Sequence, residues 1–560
     1  MMRPFFAMIC TLTIVLLPLQ LTYLHFLPPL SAIVGMIIFR NVIPALLYGH
    51  LCGTLLLLRQ SDISWYEGVL RALDIGIYRP ITEVSNLYLL LFILLLLMIV
   101  CIIERTHYLS ELILRMTQNI KDRTHAQLLT YFGGLLIFFD DYANSLIVGG
   151  ATRELQKKFS ISKEKMAFIV DATAAPIAGV AVISSWVGFE IGLFEDIGAS
   201  TLIGRQGLSM FLDAIPYRFY CMFMLLFVPW LLLSKTDFGP MAEAEAQSLQ
   251  QSRIHPSTHT RKHKTSLTKL LWVGLSPILL LIVTIFFGFW WDGNQAVGIQ
   301  IEGSIFQIRY WQTIIGAASH TGQIYVLTSL ICLSYVVGLA RYTGKPIFRP
   351  ICIACERSLT PIGIILLAWG LKEFYQELSP TNWVEQMLDS PYLPQNRFFP
   401  VFAFVTAAIL AATTGTSWGC MSILIPTLIP LIIHMEGEYT HIVILTMSAI
   451  LDGAILGDHC SPLSDTTILS ATATECDLKK HTITQLPYVL LVGTVAIFFG
   501  YLLSAYGVSL STCYLIATLS LATSSYILSQ NYATHTTNKI QKTEREKTIE
   551  VLHHHHHKQS

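Results

Sequence analysis

Residues 137–150 read IFFDDYANSLIVGG. Two adjacent carboxylates, Asp140 and Asp141, and the amide Asn144 stand between apolar arms, with Gly133-Gly134 before them and Gly149-Gly150 after. The arms are too apolar for a loop in water, and each is shorter than the roughly 20 residues that cross a bilayer. Outward from this stretch, loop 105–127 carries Arg105, Arg115, Lys121 and Arg123, and loop 151–165 carries Arg153, Lys157, Lys158, Lys163 and Lys165. Basic loops stay in the cytoplasm, so segment 128–150 enters and leaves on that side. Segment 400–433 is broken at Thr413–Ser417 and lies between loops 379–399 and 434–440, which are poor in Lys and Arg. It enters from the opposite face. Opposed hairpins of this kind mark inverted-topology repeats, whose sites form at the midplane from discontinuous helices.

The whole chain agrees with membrane residence. Of its 560 residues 53% are hydrophobic and only 13% charged, with a mean hydropathy of +0.56, against about 25% charged in soluble proteins. Lys+Arg and Asp+Glu are equal at 36 each, so no basic excess exists to bind nucleic acid. The eleven cysteines lie mostly in apolar runs and read as core residues, and the lone Cys352/Cys355 pair is incidental. Long apolar runs near 5–26, 86–104, 213–233, 270–291, 320–340, 359–378, 485–506 and 510–529 join interrupted segments at 27–58, 128–150, 166–197, 400–433 and 441–474. The fold class expected is an all-α polytopic membrane protein of about 11 to 13 transmembrane helices, with two inverted repeats each holding re-entrant or broken hairpins.

The organisation expected is an extra N-terminal helix or uncleaved signal at 1–26, a first repeat at 27–233, a cytoplasmic linker at 234–269 that is flexible over 238–268, a second repeat at 270–506, a final helix at 507–530 and a basic tail at 531–560. Both termini fall in the cytoplasm. The run His553–His557 is set aside.

Ionisable residues inside membrane segments are functional candidates, and here they cluster at the breaks. Asp140, Asp141 and Asn144 form the first cluster. Thr413, Thr414, Thr416 and Ser417 surround Gly415, offering hydroxyls and freed carbonyls to a hard cation. The third, LDGAILGDHCSPLSDTTILSATATECD over 451–477, holds Asp452, Asp458, His459, Ser461, Ser464, Asp465, Thr466 and Thr467 around Pro462. The fourth, at 170–192, contains Asp171, Pro176, Ser184, Ser185, Trp186 and Glu190; Asp171 and Asp452 hold corresponding places in the two halves, and Glu190 is placed near an external mouth. A lone His459 beside Cys460 is a poor transition-metal site. No G-x-S-x-G turn supplies a nucleophile, and no G-x-x-x-x-G-K-[ST] loop binds ATP, so an enzyme or ATP-driven pump is not expected.

The strings FFDDYANSLIVGG, VDATAAPIAGVAVISSWVGFEIG and LGDHCSPLSDTTILSATATECD, in that order, resemble the NhaC-type Na⁺/H⁺ antiporters of bacteria over residues 27 to 506. The resemblance implies a secondary transporter of the inner membrane, exchanging Na⁺ or Li⁺ for H⁺ without a cofactor. A cation and a proton stabilise the same buried carboxylate, so each expels the other. On this expectation Asp140, Asp141, Asp458 and Asp465 hold Na⁺, Thr414, Ser417, Ser461 and Thr466 add neutral oxygens, and Asn144, Asp171, Asp452 and His459 complete the site. The alternative is Na⁺- or H⁺-coupled exchange of a small organic or amino acid of the malate/lactate kind, with Trp186 or Trp418 as a wall. The break-by-break reading finds no basic residue to hold such an anion, which favours the cation exchanger. The partners implied are the bilayer, Na⁺ and H⁺, with a homodimer left open.

Overall fold

The interrupted apolar segments fold as pairs of helices separated by a few residues. The computed structural model describes residues 27–39, 41–60, 64–117, 120–200, 206–252, 266–297, 310, 314, 318, 320–378 and 395–531. The N-terminal segment 1–26 and the tail with its histidine run lie outside the described residues. Segment 27–58 becomes α1 (Leu27–Phe39) and α2 (Val42–Gln60). A short α3 (Trp65–Leu73) starts with a capping box between Ser64 and Glu67, and α4 (Val84–Thr106) and α5 (Tyr108–Thr117) follow. The first broken stretch is α6 (Arg123–Leu136) and α7 (Asp141–Lys158), and the next is α8 (Lys163–Val180) and α9 (Ser185–Ser200). Then come α10 (Gly207–Ala214), α11 (Phe219–Ser234), α12 (Gly239–Ser252), α13 (Leu267–Val297), α14 (Thr321–Tyr342) and α15 (Phe348–Leu378). The second half is α16 (Phe399–Thr414), α17 (Ser417–Glu436), α18 (His441–Cys460), α19 (Asp465–Ala473), α20 (Leu478–Val495) and α21 (Leu510–Asn531).

Among the described residues every element is helical, and ten helices are long and apolar enough to cross a membrane, or up to twelve if each of two bent pairs is one span. The bent pairs are α8 with α9, at 43°, and the helix 207–217 with α11, at 45°. The second bend falls at Arg218, inside a run that the sequence presents as continuous. On α13 the outward side chains Leu279, Val283 and Phe287, spaced four apart, are 57–62% exposed. Such a stripe suits lipid rather than water.

Three segments differ from expectation. Helix α16 with the turn before it (Asn396–Thr414) and α17 each reach span length, whereas α6 is only 14 residues long and Arg153, Glu154, Lys157 and Lys158 make the second half of α7 polar. Part of the stretch expected as flexible linker is α12, fastened by its acids: Glu245 pairs with Arg123 and accepts from the Ser162 amide at 2.8 Å, and Ser248 donates to the Ser160 carbonyl at 2.8 Å. The stretch 341–358, with Arg341, Lys345, Arg349 and Arg357, reads by its charge as a cytoplasmic loop, but it is helical from Phe348, so Arg357 lies within α15.

Caps set the helix starts. Asp122 caps α6 by accepting from the His125 amide at 2.9 Å, and that backbone bond holds the Asp122 carboxyl below the usual range. Small residues set the closest packing. A Cβ on Gly453 would stand 2.3 Å from the Phe404 carbonyl, and one on Gly457 2.5 Å from that of Ala408, so α18 lies directly against α16. We therefore expect Gly457→Leu to abolish assembly, read as loss of the monodisperse peak in detergent size-exclusion chromatography; an unaltered peak would refute this packing.

Candidate functional site

Four helix breaks converge on one cavity. At the α6–α7 break Asp140 caps α7, accepting from the Ala143 amide at 2.8 Å, and Asn144 Nδ2 donates to the carbonyls of Gly134 (2.7 Å) and Ile137 (3.0 Å). The α8–α9 break is bonded to it directly, for the Ser185 amide donates to the Phe139 carbonyl at 2.9 Å. At the α16–α17 break Gly415 takes φ 73°, and a Cβ there would meet the Leu463 backbone at 2.6 Å. The α18–α19 break is thereby pressed against it. Between them lies a cavity of about 260 Å³ whose wall includes Asp140, Asp141, Ser185, Thr416, Trp418 and Asp465.

The carboxylates enter this cavity unequally. Asp140 and Asp141 are 3% and 4% exposed, whereas Asp465 is open. Tyr142 donates its hydroxyl to Asp465 Oδ2 at 2.9 Å, joining the α6–α7 and α18–α19 breaks. Ser185 faces Asp140, and Trp186 faces Asp141, yet among the described residues neither the Ser185 hydroxyl nor the Trp186 indole closes a hydrogen bond. Trp186 and Trp418 stack edge to face at 6.0 Å. Arg357 also lines the cavity, held at 3.0 Å by Glu104. A guanidinium therefore does stand at the breaks, contrary to the sequence reading.

Asp458 and Asp171 form a second level. Asp458 is buried and faced by Ser417; among the described residues its Oδ1 has no hydrogen-bond partner. Thr467 Oγ1 lies 3.2 Å from both the Asp458 main-chain carbonyl and Asp171 Oδ2, so it ties the end of α18 to the Asp171 carboxylate. Asp171 Oδ2 also accepts from Gln485 at 3.0 Å and lies 3.3 Å from His481 Nε2, while its Oδ1 and Asn144 Oδ1 are unpartnered among the described residues. His459 sits between the Tyr220 hydroxyl, 2.8 Å from Nδ1, and the Asp171 carbonyl, 3.2 Å from Nε2.

Asp452 is different. Its Oδ1 accepts from Arg218 Nε at 2.7 Å, and its Oδ2 from the Tyr220 amide at 2.6 Å and the Tyr501 hydroxyl at 2.7 Å. Three donors, one of them a guanidinium, hold the Asp452 carboxylate from within the protein, and Asp452 is not in the wall of the cavity. The formal correspondence with Asp171 ends there: one acid rests on neutral donors and a histidine, the other on a guanidinium. Glu190, expected near an external mouth, is wholly buried beside Arg218. Among the hydroxyls, Thr414 bonds back to the Leu410 carbonyl at 2.8 Å, Ser461 accepts from the Leu463 amide at 3.2 Å, and Thr466 meets Ser464 at 3.1 Å. Thr416, the cap of α17, faces the cavity instead.

Sequence reasoning passed over Arg218, Tyr142, Gln485, His481, Tyr501 and Arg357. Arg218 was detectable, since a charged residue within the apolar run 213–233 is the same signal that singled out the acids. The others carry no local mark.

Comparison with known proteins adds three findings. A model of the Na⁺/H⁺ antiporter family matches residues 177–505, more than half of the chain. An uncharacterized protein of Haemophilus influenzae is 28% identical over 475 residues, covering 83% of this chain and 88% of its own length, and the malate-2H⁺/Na⁺-lactate antiporter of Bacillus subtilis is 34% identical over 84 residues, covering 15% of this chain and 17% of its own. The solved YdaH transporter of Alcanivorax borkumensis shares the fold at a TM-score of 0.52 and 14% identity, covering 79% of this chain and 90% of that one.

The buried pairs make a stability test. Arg218→Leu leaves Asp452 and Glu190 without their cation, and breaking a buried pair on one side costs about 3–5 kcal/mol. We expect a lowered Tm in detergent, with Asp452→Asn less severe because Tyr501 and the Tyr220 amide still donate. A wild-type Tm for Arg218→Leu would contradict the network.

Proposed function

The chain belongs to the Na⁺/H⁺ antiporter family, and from that premise we propose that it exchanges Na⁺ (or Li⁺) for H⁺, the two competing for carboxylates gathered where its broken helices meet. The observation that carries this reading is the cavity wall itself. Three acids from two breaks, Asp140, Asp141 and Asp465, share about 260 Å³ with the hydroxyls of Ser185 and Thr416. Asp458 lies behind Ser417 with one oxygen unpartnered among the described residues. A dehydrated hard cation needs several such oxygens.

In this mechanism each side chain has a task. Asp141 and Asp458 hold either the cation or the proton. Asp140 keeps its capping bond to Ala143 and lends its charge. Asp465, open and tied to Tyr142, receives ions at the entrance. Deprotonated acids attract Na⁺, bound Na⁺ disfavours reprotonation, and a proton arriving from the acidic side releases the cation. The two halves, as inverted repeats, would rock around the breaks to present the cavity to each side in turn. The basic loops favour cytoplasmic termini, and the likeness to bacterial antiporters favours the inner membrane as the location.

A second reading is favoured by Arg357. A guanidinium in the cavity wall suits a carboxylate, and a relative of part of the chain is named for malate and lactate. Small-organic-acid exchange coupled to Na⁺ or H⁺ is therefore the alternative.

Everted vesicles carrying a pH-sensitive dye separate the two. We expect Na⁺ or Li⁺ to collapse a preformed proton gradient, and a labelled dicarboxylate or lactate to leave it unchanged; the reverse result establishes the alternative. Asp141→Asn and Asp458→Asn should abolish the response, Asp140→Asn and Asp465→Asn should abolish it or shift its pH profile, and full activity in all four would sink the site. Proton competition also sets a sign. The apparent KM for Na⁺ should rise as pH falls, with the maximal rate recovered at high Na⁺.

A further inference from the structure

One turn along α9 from Trp186 lies a cluster that the exchange mechanism leaves unused: Glu190, Arg218 and Asp452, each 0% exposed. It contains two carboxylates and one guanidinium. Asp452 takes three donors at 2.6–2.7 Å and so neutralises Arg218. Glu190 receives only two 3.5 Å contacts from a single nitrogen, Arg218 Nη1, which meanwhile donates to the Gly179 carbonyl at 2.9 Å; Nη2 turns to Cys221 Sγ at 3.7 Å. The charged groups bearing on Glu190 are Arg218 from the bend before α11 and Asp452 from α18, and the next acid on its own helix, Glu195, is occupied with the Gly207 amide. An ionised Glu190 leaves the cluster with an uncompensated negative charge at membrane depth, where an unpaired charge is strongly disfavoured. A proton on Glu190 makes the cluster neutral without disturbing any of the short bonds.

Position gives that proton a consequence. Gly179 ends the last turn of α8 before its break, and Glu190 follows the break on α9, whereas Asp452 belongs to α18 in the other half of the chain. Arg218 thus fastens the α8–α9 break to α18 through a contact that Glu190 strengthens when ionised and relaxes when protonated. We propose that Glu190 is a second proton-binding site of the transport cycle, separate from the cavity and loaded and unloaded as the α8–α9 break moves against α18. The exchanger then moves one proton more per cycle than cation–proton competition in the cavity supplies. This inference rests on the exchange reading above.

Purified full-length protein in liposomes tests it, with the proton-to-sodium ratio taken from the gradients at which net flux vanishes, alongside radioactive Na⁺/Na⁺ exchange and the pH profile. For Glu190→Gln the ratio should fall by one proton, and the pH profile should flatten while Na⁺/Na⁺ exchange persists; Glu190→Asp should restore the ratio. An unchanged ratio and profile in Glu190→Gln overturns the proposal, as does loss of Na⁺/Na⁺ exchange together with antiport in a folded variant. If the wild type itself shows no Na⁺-dependent proton flux, the exchange reading fails and this inference with it, a result distinct from a wild type that exchanges and a variant that matches it. Should Glu190→Gln not fold, a carbodiimide that reacts with protonated carboxyls is applied to the wild type. An adduct on Glu190 that declines as pH rises supports the proposal, and no adduct, or one indifferent to pH, refutes it.

Discussion

A helix that breaks inside a membrane exposes carbonyls that no water can reach, and each must find a donor from elsewhere in the chain. That requirement organises this protein. Asn144 reaches back across its own break to Gly134 and Ile137. Ser184 and Arg218 close the carbonyls of Ala178 and Gly179 at the end of α8. Thr467 and Gln485 do the same for Asp458 and His459 at the end of α18. Asn144, Ser184 and Thr467 close carbonyls within their own breaks, whereas Arg218 and Gln485 come from other elements and tie the α8–α9 and α18–α19 breaks to their neighbours.

The chain holds buried carboxylates in three ways, and each suits a different role. Asp452 is surrounded by donors and paired with Arg218, which fixes its charge and makes it scaffold. Asp171 rests on Thr467 and Gln485 beside His481, with one oxygen unpartnered among the described residues. Asp140, Asp141 and Asp458 carry few protein donors and sit at or behind the cavity, which is what the proposed exchange draws on. A membrane interior tolerates incomplete pairing where an ion or proton completes it in turn. The same reasoning separates Glu190 from Asp452 within one cluster.

Much of this was legible in the sequence. Charges are so disfavoured among apolar residues that Asp140, Asp141 and the acids of 452–465 stand out without any structure. The breaks near Ser184-Ser185 and within Asp458–Asp465 follow from polar or proline residues within apolar runs, whereas Pro176, also expected to break its helix, lies inside a continuous α8. Hydroxyls were harder. Thr413, Thr414, Thr416 and Ser417 are chemically alike, and only their phase around the Gly415 turn decides that Thr414 bonds to its own helix while Thr416 faces the cavity. Arg357 read as a loop residue because basic residues usually report topology, yet α15 begins early enough to carry it to the cavity wall.

By itself the sequence determined that this is a helical membrane protein with acids at its helix breaks, because the cost of charge in lipid and the length of a span act on each segment locally. Only the tertiary structure decided which acids share a space and which donors each of them meets. Arg218 and Asp452 lie more than two hundred positions apart, and Tyr142 and Asp465 more than three hundred. No local pattern encodes such pairings. They arise when packing brings carboxylates on one segment within reach of donors on a distant one.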